Sequence, residues 1–192
     1  MKKKDMSKQT KIQDAVAAII LTSGPAAVST TKVAKQVGIA QSNVYLYFKN
    51  KQELIDSVYQ REIAQIMGTT NLQLLTDQTI PIPKRIQYYI QQVYDYSLAH
   101  PDSLTLLQQI KSLKGQDLEL LPGVNDPNNV VVQLLTSAIQ AGVIKNLPVS
   151  LHMSLVFSII HTHTSNLNAG RYLASAYSFA DIYQLIWDGM KK

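Results

Sequence analysis

Hydrophobic side chains recur every three to four residues along most of the chain, which is the spacing of one face of a helix. A first helix is predicted over residues 8–22, with an apolar stripe of Ile12, Val16, Ile19 and Ile20. Similar stripes predict helices from about residue 51, and over 86–99, 104–111, 130–144, 149–168 and 179–190. No segment alternates apolar and polar side chains over a useful length, and no repeat is present. The predicted fold class is all-α.

Residues 29–48 predict two short helices joined by a tight turn. Ser29 can accept a backbone N–H at the start of the first helix, and Gly38 stands where a residue with positive φ would end it. The apolar face of this helix holds Val33, Ala34 and Val37. The second helix is predicted over residues 41–48. This arrangement is typical of a helix-turn-helix, whose second helix can enter the major groove of DNA.

The second helix predicts a face suited to reading bases. At about 100° per residue, Val44 and Phe48 share the inward face, and Tyr47 lies at its edge. The outward side chains are Gln41, Ser42, Asn43, Tyr45 and Leu46. Gln and Asn amides can pair bidentately with adenine, and an apolar group can contact the thymine methyl.

Residues 29–54 resemble the N-terminal signature of the TetR (tetracycline-repressor) family of transcription regulators. The spacing is kept at Thr30, Thr31, Val33, Ala34, Val37, Gly38, Ile39, Tyr45, Phe48, Lys51 and Leu54. The resemblance implies DNA contacts from Ser29, Thr30, Thr31, Gln41, Ser42, Asn43, Tyr45, Tyr47 and Lys51. Ala40 and Ser42 depart from the common pattern, which often has serine and glycine there, so the base sequence recognised does not carry over from relatives.

Positive charge is concentrated at the N-terminal end. Residues 1–61 hold ten Lys and Arg against four Asp and Glu, whereas residues 62–192 hold eight against nine. A basic N-terminal part suits a polyanion, although a solvated basic face is the alternative when charge is taken alone. Lys51, in the first turn of its helix, is disfavoured by the helix dipole, which indicates a phosphate partner. An arm that could contact phosphate, or a disordered tail, is predicted from Lys2, Lys3, Lys4 and Lys8.

Composition limits the compartment and the chemistry. The chain has no cysteine, which excludes disulfides and thiolate chemistry and fits a reducing environment. No apolar run approaches the roughly 20 residues that span a bilayer, and no signal-peptide core follows the N-terminal lysines. A cytoplasmic protein without membrane attachment is predicted.

A change in composition near residue 68 predicts a boundary between two domains, residues 1–67 and residues 68–192. The helix-turn-helix predicts DNA binding for the first domain, and the resemblance implies ligand binding and dimerisation for the second. Loop-forming residues also make 115–127 a broken region. The last two predicted helices carry apolar side chains on more than one face. The resemblance implies that these two helices form a four-helix interface with a two-fold mate, and a dimer would fix the spacing of two reader helices. The alternative is the core of a monomer. The residues predicted for the interface are Leu155, Ile159, Ile182, Ile186 and Trp187.

The resemblance also implies an inducer pocket in the C-terminal bundle, since bundles place cavities between their helices. The candidates are Tyr89, Tyr94, Phe157 and His161, although tyrosines at helical spacing are more often core or interface residues. The low charge of this part argues against a highly charged ligand.

Neither a metal site, a cofactor site nor a catalytic site is predicted. His161 and His163 point about 200° apart on a helix, and no carboxylate stands four residues from either. The sequence has no nucleophile motif, no paired acid and base, and no phosphate-binding glycine loop. An enzyme is the least supported class.

The combined prediction is a homodimeric regulator that binds double-stranded operator DNA and responds to a small-molecule effector. The simplest form is a repressor that a mostly apolar molecule releases from its operator. The molecule would shift the helix that begins near residue 51, which changes the spacing of the reader helices. A different class stays open: a DNA-bound adaptor that recruits a protein partner and needs no inducer.

Overall fold

The computed structural model describes residues 6–68, 71–114 and 128–192 of the 192-residue chain. The described helices are α1 (Met6–Ser23), α2 (Thr30–Val37), α3 (Gln41–Tyr45), α4 (Lys51–Gly68), α5 (Leu72–Thr76), α6 (Ile82–Ala99), α7 (Ser103–Lys114), α8 (Val130–Gln140), α9 (Val149–Asn168) and α10 (Phe179–Met190). The only extended pairing in these ranges is an isolated antiparallel bridge between Ile144 and Lys191. The all-α prediction is confirmed. The lysines at 2–4 and the loop predicted over 115–127 lie outside the described residues.

Most helix limits follow the apolar stripes, and the differences have local causes. Helices α9 and α10 have the predicted bounds, whereas α8 ends at Gln140 rather than at residue 144. Gly142 has a φ of 67° there, and the Val143 N–H donates to the carbonyl oxygen of Ala138 at 2.9 Å. This left-handed cap reverses the chain and buries Ile144 outside the helix. Helix α5 was not predicted; Asn71 caps it by accepting the Gln73 N–H at 3.1 Å.

The helices fall into two compact units. Unit 1 comprises the described parts of Met1–Ala64 and Thr105–Leu121, and unit 2 those of Gln65–Leu104 and Pro122–Lys192. The predicted domain boundary after residue 67 lies close to the first division, inside α4. Helix α7 from Thr105 onward groups with the N-terminal helices, although the prediction placed it in the C-terminal domain. The functional roles given to the two domains stay predictions.

Unit 1 packs the predicted apolar stripes of its first four helices against one another. Its fully buried side chains include Ile12, Val16, Ile20, Val33, Val44, Leu54, Ile55 and Val58. Helix α4 is fastened to α1 by an ion pair of 2.7 Å between Arg61 and Asp14, and by a 3.2 Å bond from Gln13 Nε2 to the carbonyl oxygen of Ser57. These contacts fix α4 to α1, against which α2 packs, and α3 packs against α2.

In unit 2, helix α6 packs against α5, α8, α9 and α10. Its core includes Ile86, Ile90, Val93, Leu135, Ala138, Val156, Ile160 and Ile186. Polar contacts also join the helices: Ser97 Oγ of α6 donates to Thr164 Oγ1 of α9 at 3.0 Å. Helix α10 begins with a capping box in which Ser178 and Asp181 each accept the other's backbone N–H.

Candidate DNA-binding surface

The turn between α2 and α3 is built by capping interactions at its two ends. Ser29 Oγ accepts the Lys32 N–H at 3.1 Å, which confirms the predicted cap of α2. Gly38 has φ 75° and ψ 37°, and both its own N–H and that of Ile39 donate to the carbonyl oxygen of Ala34 at 3.0 Å. Glycine adopts the left-handed conformation without steric strain, so the chain can turn directly into α3.

Helix α3 presents the face that the helical wheel predicts, although the helix is shorter than predicted. Val44 is fully buried and Phe48 is buried, whereas Tyr45 is 50% exposed and Leu46 is 65% exposed. The exposed side chains also include Gln41, Ser42 and Asn43, while Tyr47 is half-buried. The helix ends at Tyr45 rather than at residue 48, because the N–H groups of both Tyr47 and Phe48 converge on the carbonyl oxygen of Val44 at 3.0 Å. The orientation of the face is confirmed, and its contacts with DNA stay a prediction.

One hydroxyl connects the start of α2 to both ends of α3. Gln41 Nε2 donates to Thr30 Oγ1 at 2.8 Å, and the same oxygen lies 3.3 Å from the Tyr45 hydroxyl. Sequence reasoning placed all three residues at the DNA surface but did not find that they touch. The contact holds the amide and the phenol in fixed positions on the outer face.

Lys51 has a local partner that the sequence analysis did not foresee. Its Nζ donates to the carbonyl oxygen of Ala26 at 2.6 Å, in the short 3-10 helix between α1 and α2. Asn50 caps α4 by accepting the Glu53 N–H at 2.9 Å. The carbonyl oxygen of Ala26 therefore accounts for a cation in this first turn without DNA, and the position of Lys51 against the helix dipole does not by itself indicate a phosphate partner. The ammonium retains two further N–H donors that a phosphate could accept.

Unit 1 carries further exposed lysines that were not among the predicted DNA contacts: Lys32 and Lys35 on α2, Lys49 before α4, and Lys11 on α1. Lys8, which was predicted for the N-terminal arm, is exposed in the first turns of α1. The predicted Ser29 and Thr31 are also exposed, and Thr30 is half-buried. Lysines attract the phosphate backbone irrespective of base sequence, so we expect this set to add affinity for nucleic acid.

The four residues predicted for a ligand pocket lie on two helices of unit 2, α6 and α9. Tyr89 is buried, and its hydroxyl has no hydrogen-bond partner among the described residues. Tyr94 is also buried and packs on Phe179 with ring centroids 5.2 Å apart. His161 and Phe157 are half-buried on α9, and His161 Nε2 lies 3.3 Å from Ser165 Oγ. Their role in ligand binding stays a prediction.

A buried histidine that the sequence analysis set aside has the more extensive contacts. His163 Nε2 lies 3.4 Å from the Tyr94 hydroxyl, and its Nδ1 lies 2.9 Å from the Tyr172 hydroxyl. Tyr172 donates its hydroxyl proton to the carbonyl oxygen of His163 at 3.1 Å, so its oxygen accepts from Nδ1–H. Burial lowers the pKa of His163 and so favours the neutral imidazole, whose Nε2 accepts from Tyr94.

The predicted dimer residues divide into two groups. Ile182 and Ile186 are buried within unit 2, with exposed fractions of 8% and 0%, so they offer a partner chain little or no surface. Leu155, Ile159 and Trp187 are half-buried. The large apolar side chains that α9 and α10 leave exposed are Leu151 and Leu185. The two helices pack closely, because a Cβ added at Gly189 would lie 2.8 Å from Leu155 Cδ2.

Two negative findings concern the described residues alone. Across 6–68, 71–114 and 128–192, no helix is long and apolar enough to cross a membrane. In the same ranges, no three His, Asp or Glu side chains gather as metal ligands would.

The fold and this surface define a DNA-binding helix-turn-helix protein, and comparison with known proteins specifies its family. The family described as "Bacterial regulatory proteins, tetR family" matches residues 12–58. A solved structure from Lactobacillus plantarum, assigned as a transcription regulator, is 67% identical, with a TM-score of 0.85 over 96% of this chain and 98% of that one. A TetR-family transcriptional regulator from Haemophilus influenzae has a TM-score of 0.71 over 98% of this chain and all of its own, at 22% identity. The Fatty acid metabolism regulator protein of Bacillus subtilis is 29% identical over 82% of each chain.

The chain therefore belongs to the TetR family and is a DNA-binding transcription regulator. Its relatives are regulators of transcription rather than enzymes.

Proposed function

We propose that the chain is a homodimeric repressor, that α3 directs it to a specific operator, and that a small, mostly apolar molecule releases it. The observation that carries the proposal is the outer face of α3, where Thr30 holds Gln41 and Tyr45 in place. An amide held in a fixed position can pair bidentately with adenine, and a preorganised side chain loses little entropy on binding.

Base reading and backbone binding have separate residues in this proposal. Gln41 and Asn43, which are exposed on α3, and the exposed apolar Leu46 directly after it face the base edges. The hydroxyls of Ser29 and Thr31 and the ammonium of Lys51 bind phosphates. Phosphate contacts position the protein, whereas base contacts select the sequence.

Two copies of the chain associate through α9 and α10 in this proposal. Leu151 and Leu185 leave the largest apolar surface of these helices exposed, and the half-buried Leu155, Ile159 and Trp187 lie on the same two helices. A two-fold pair of reader helices binds two half-sites one helical turn or a multiple apart.

The effector binds in unit 2, whose helices have an apolar core. Since the chain passes from unit 1 into unit 2 inside α4, a ligand that shifts this helix changes the spacing of the two readers. The relative from Bacillus subtilis is named for fatty acid metabolism, which makes fatty acids and their derivatives the first effectors to try. Operator DNA must weaken effector binding by the same factor, typically worth about 1–3 kcal/mol.

The test is binding of the purified protein to the DNA upstream of its own gene, with excess random DNA as competitor. We expect retention of that fragment, a steep loss of binding with salt, and release by an effector. Independent binding of effector and DNA would contradict the release mechanism. Retention of the fragment together with a protein partner, and without any effector response, would favour an adaptor.

A further inference from the structure

Two buried polar side chains of α6 lack the partners that burial normally requires. Arg85 is 5% exposed and Tyr89 is 3% exposed. Arg85 Nη1 donates to the carbonyl oxygen of Leu75 at 3.3 Å, but Arg85 Nε and the Tyr89 hydroxyl have no hydrogen-bond partner in the part of the chain that the structure describes. Side chains four residues apart share one face of a helix, about 6 Å apart along its axis. Buried donors are nearly always satisfied, so these two indicate a group that the chain itself does not supply.

Arg85 also has no ion-pair partner among the residues that the structure describes. Ion pairs in those ranges include Arg61 with Asp14 and Glu62, and Lys191 with Asp188. Asp77 interacts with Arg85 electrostatically without contact; its exposed carboxylate accepts the N–H and the hydroxyl of Thr79, at 2.8 and 2.7 Å. A guanidinium keeps its charge when buried, and its planar fork matches the oxygens of a carboxylate or a phosphate.

Other buried polar side chains of the same helix show that partners are otherwise provided. Tyr94 lies 3.4 Å from His163 Nε2, and the Tyr96 hydroxyl donates to Gln65 Oε1 at 3.2 Å. Ser97 Oγ donates to Thr164. The unsatisfied donors of α6 lie in its first half, where Arg85 contacts Leu75 of α5. Helix α6 also packs against α8. Buried apolar side chains of these three helices include Leu75, Ile86, Ile90, Val131, Leu134 and Leu135.

We propose that Arg85 and Tyr89 bind one anionic oxygen group, a carboxylate or a phosphate, at the end of an otherwise apolar ligand. Arg85 donates through Nε and its Nη groups, and Tyr89 donates its hydroxyl proton. The apolar body of the ligand lies against the side chains of α5, α6 and α8. This inference rests on the proposed function, because it gives the chemical class of the effector that unit 2 binds.

The test is isothermal titration of the full-length protein with three probes that share one alkyl chain, below their micelle concentrations. Dodecanoate carries a carboxylate, dodecyl phosphate carries a phosphate, and dodecanol is uncharged. We expect one anionic probe to bind roughly 10- to 100-fold more tightly than dodecanol, because bonds to a charged group are stronger. Tightest binding of dodecanoate identifies a free acid as the source of the anion, and tightest binding of dodecyl phosphate identifies a phosphate-bearing ligand.

Three variants separate this site from a structural role. Arg85→Met should abolish the preference for an anion, and Tyr89→Phe should weaken it several-fold. Arg171→Met is the matched control, because Arg171 is an exposed arginine of unit 2 that donates to Asn166 Oδ1 at 2.7 Å. Arg85→Met removes the bond to Leu75 together with the buried charge, so melting curves without ligand are recorded to show that each variant is folded.

Three results would overturn the inference: equal binding of dodecanol, an anion preference that survives in folded Arg85→Met, or no binding of any probe. The last result would mean that water satisfies the two donors. Operator DNA separates this inference from the proposed function. Release of DNA by dodecanol as well as by dodecanoate would support the proposed repressor function and contradict the anion site. Anion binding through Arg85 without release of DNA would support the anion site and contradict the repressor function.

Discussion

Thr30 permits a direct test of how the reader surface is preorganised, because its hydroxyl contacts two side chains predicted to meet DNA. Thr30→Val removes the acceptor that Gln41 Nε2 reaches at 2.8 Å and the neighbour of the Tyr45 hydroxyl at 3.3 Å. Both side chains then have to be ordered during binding, at about 0.5–1.5 kcal/mol each. The expected loss of operator affinity is about 1–3 kcal/mol, or roughly 5- to 150-fold in Kd.

Fluorescence anisotropy with labelled operator and with a scrambled duplex measures this loss. Binding to the scrambled duplex should change little, and Thr30→Ser, which keeps the hydroxyl, should behave like the wild type. The effect should shrink in a Gln41→Ala background, because the contact is already absent there. Equal loss on both duplexes would mean that Thr30 only binds phosphate, and would refute the preorganisation.

Three further predictions concern stability and assembly. Gly38→Ala should lower the free energy of unfolding, measured in urea, by about 1 kcal/mol, because φ is 75° at this position. Gly68→Ala should raise it by up to about 1 kcal/mol, because a Cβ added there, at the end of α4, meets open space. Changes of the same sign in the two variants would contradict this. Because burial lowers the pKa of His163, protons bind the unfolded chain more readily than the folded one. The contribution of the neutral imidazole to stability is therefore fully present above the ordinary histidine pKa of about 6.5 and is lost as the pH drops below it. His163→Phe should reduce this dependence of stability on pH, and an unchanged dependence would count against the neutral imidazole. Leu185→Asp should shift the sedimentation coefficient towards that of the monomer. Leu173→Asp should not, because Leu173 is also exposed but lies in the segment that connects α9 and α10. A Leu185→Asp variant that dimerises with wild-type affinity would exclude this interface.

The elements that sequence predicted best are those with long apolar stripes. The bounds of α9 and α10 were predicted because amphipathic spacing and clear end signals coincide. Helix α5 was missed because five residues between two loop-forming segments are too few to display a helical period. Ile182 and Ile186 show a further limit. An apolar pattern predicts that a side chain is buried, but it does not say whether its own chain or a partner buries it.

The reader face was predictable to the level of orientation. Val44 and Phe48 face inward because four-residue spacing puts them on one side of a short helix. The bonds from Gln41 and Tyr45 to Thr30 were not predictable, since they depend on the angle between α2 and α3. Likewise, the donation of Lys51 Nζ to Ala26 crosses 25 positions and arises from tertiary packing alone.

The central claim, that α3 reads base sequence, is tested most directly by the ratio of Kd on random DNA to Kd on the operator. For Gln41→Ala, this ratio should fall by about 1–3 kcal/mol in free energy, because a bidentate base contact is lost. Lys51→Ala is the comparison: it should weaken both duplexes about equally and reduce the dependence of log Kd on log salt by roughly one unit. A Gln41→Ala protein that keeps the wild-type ratio would contradict the assignment of α3 as the reader.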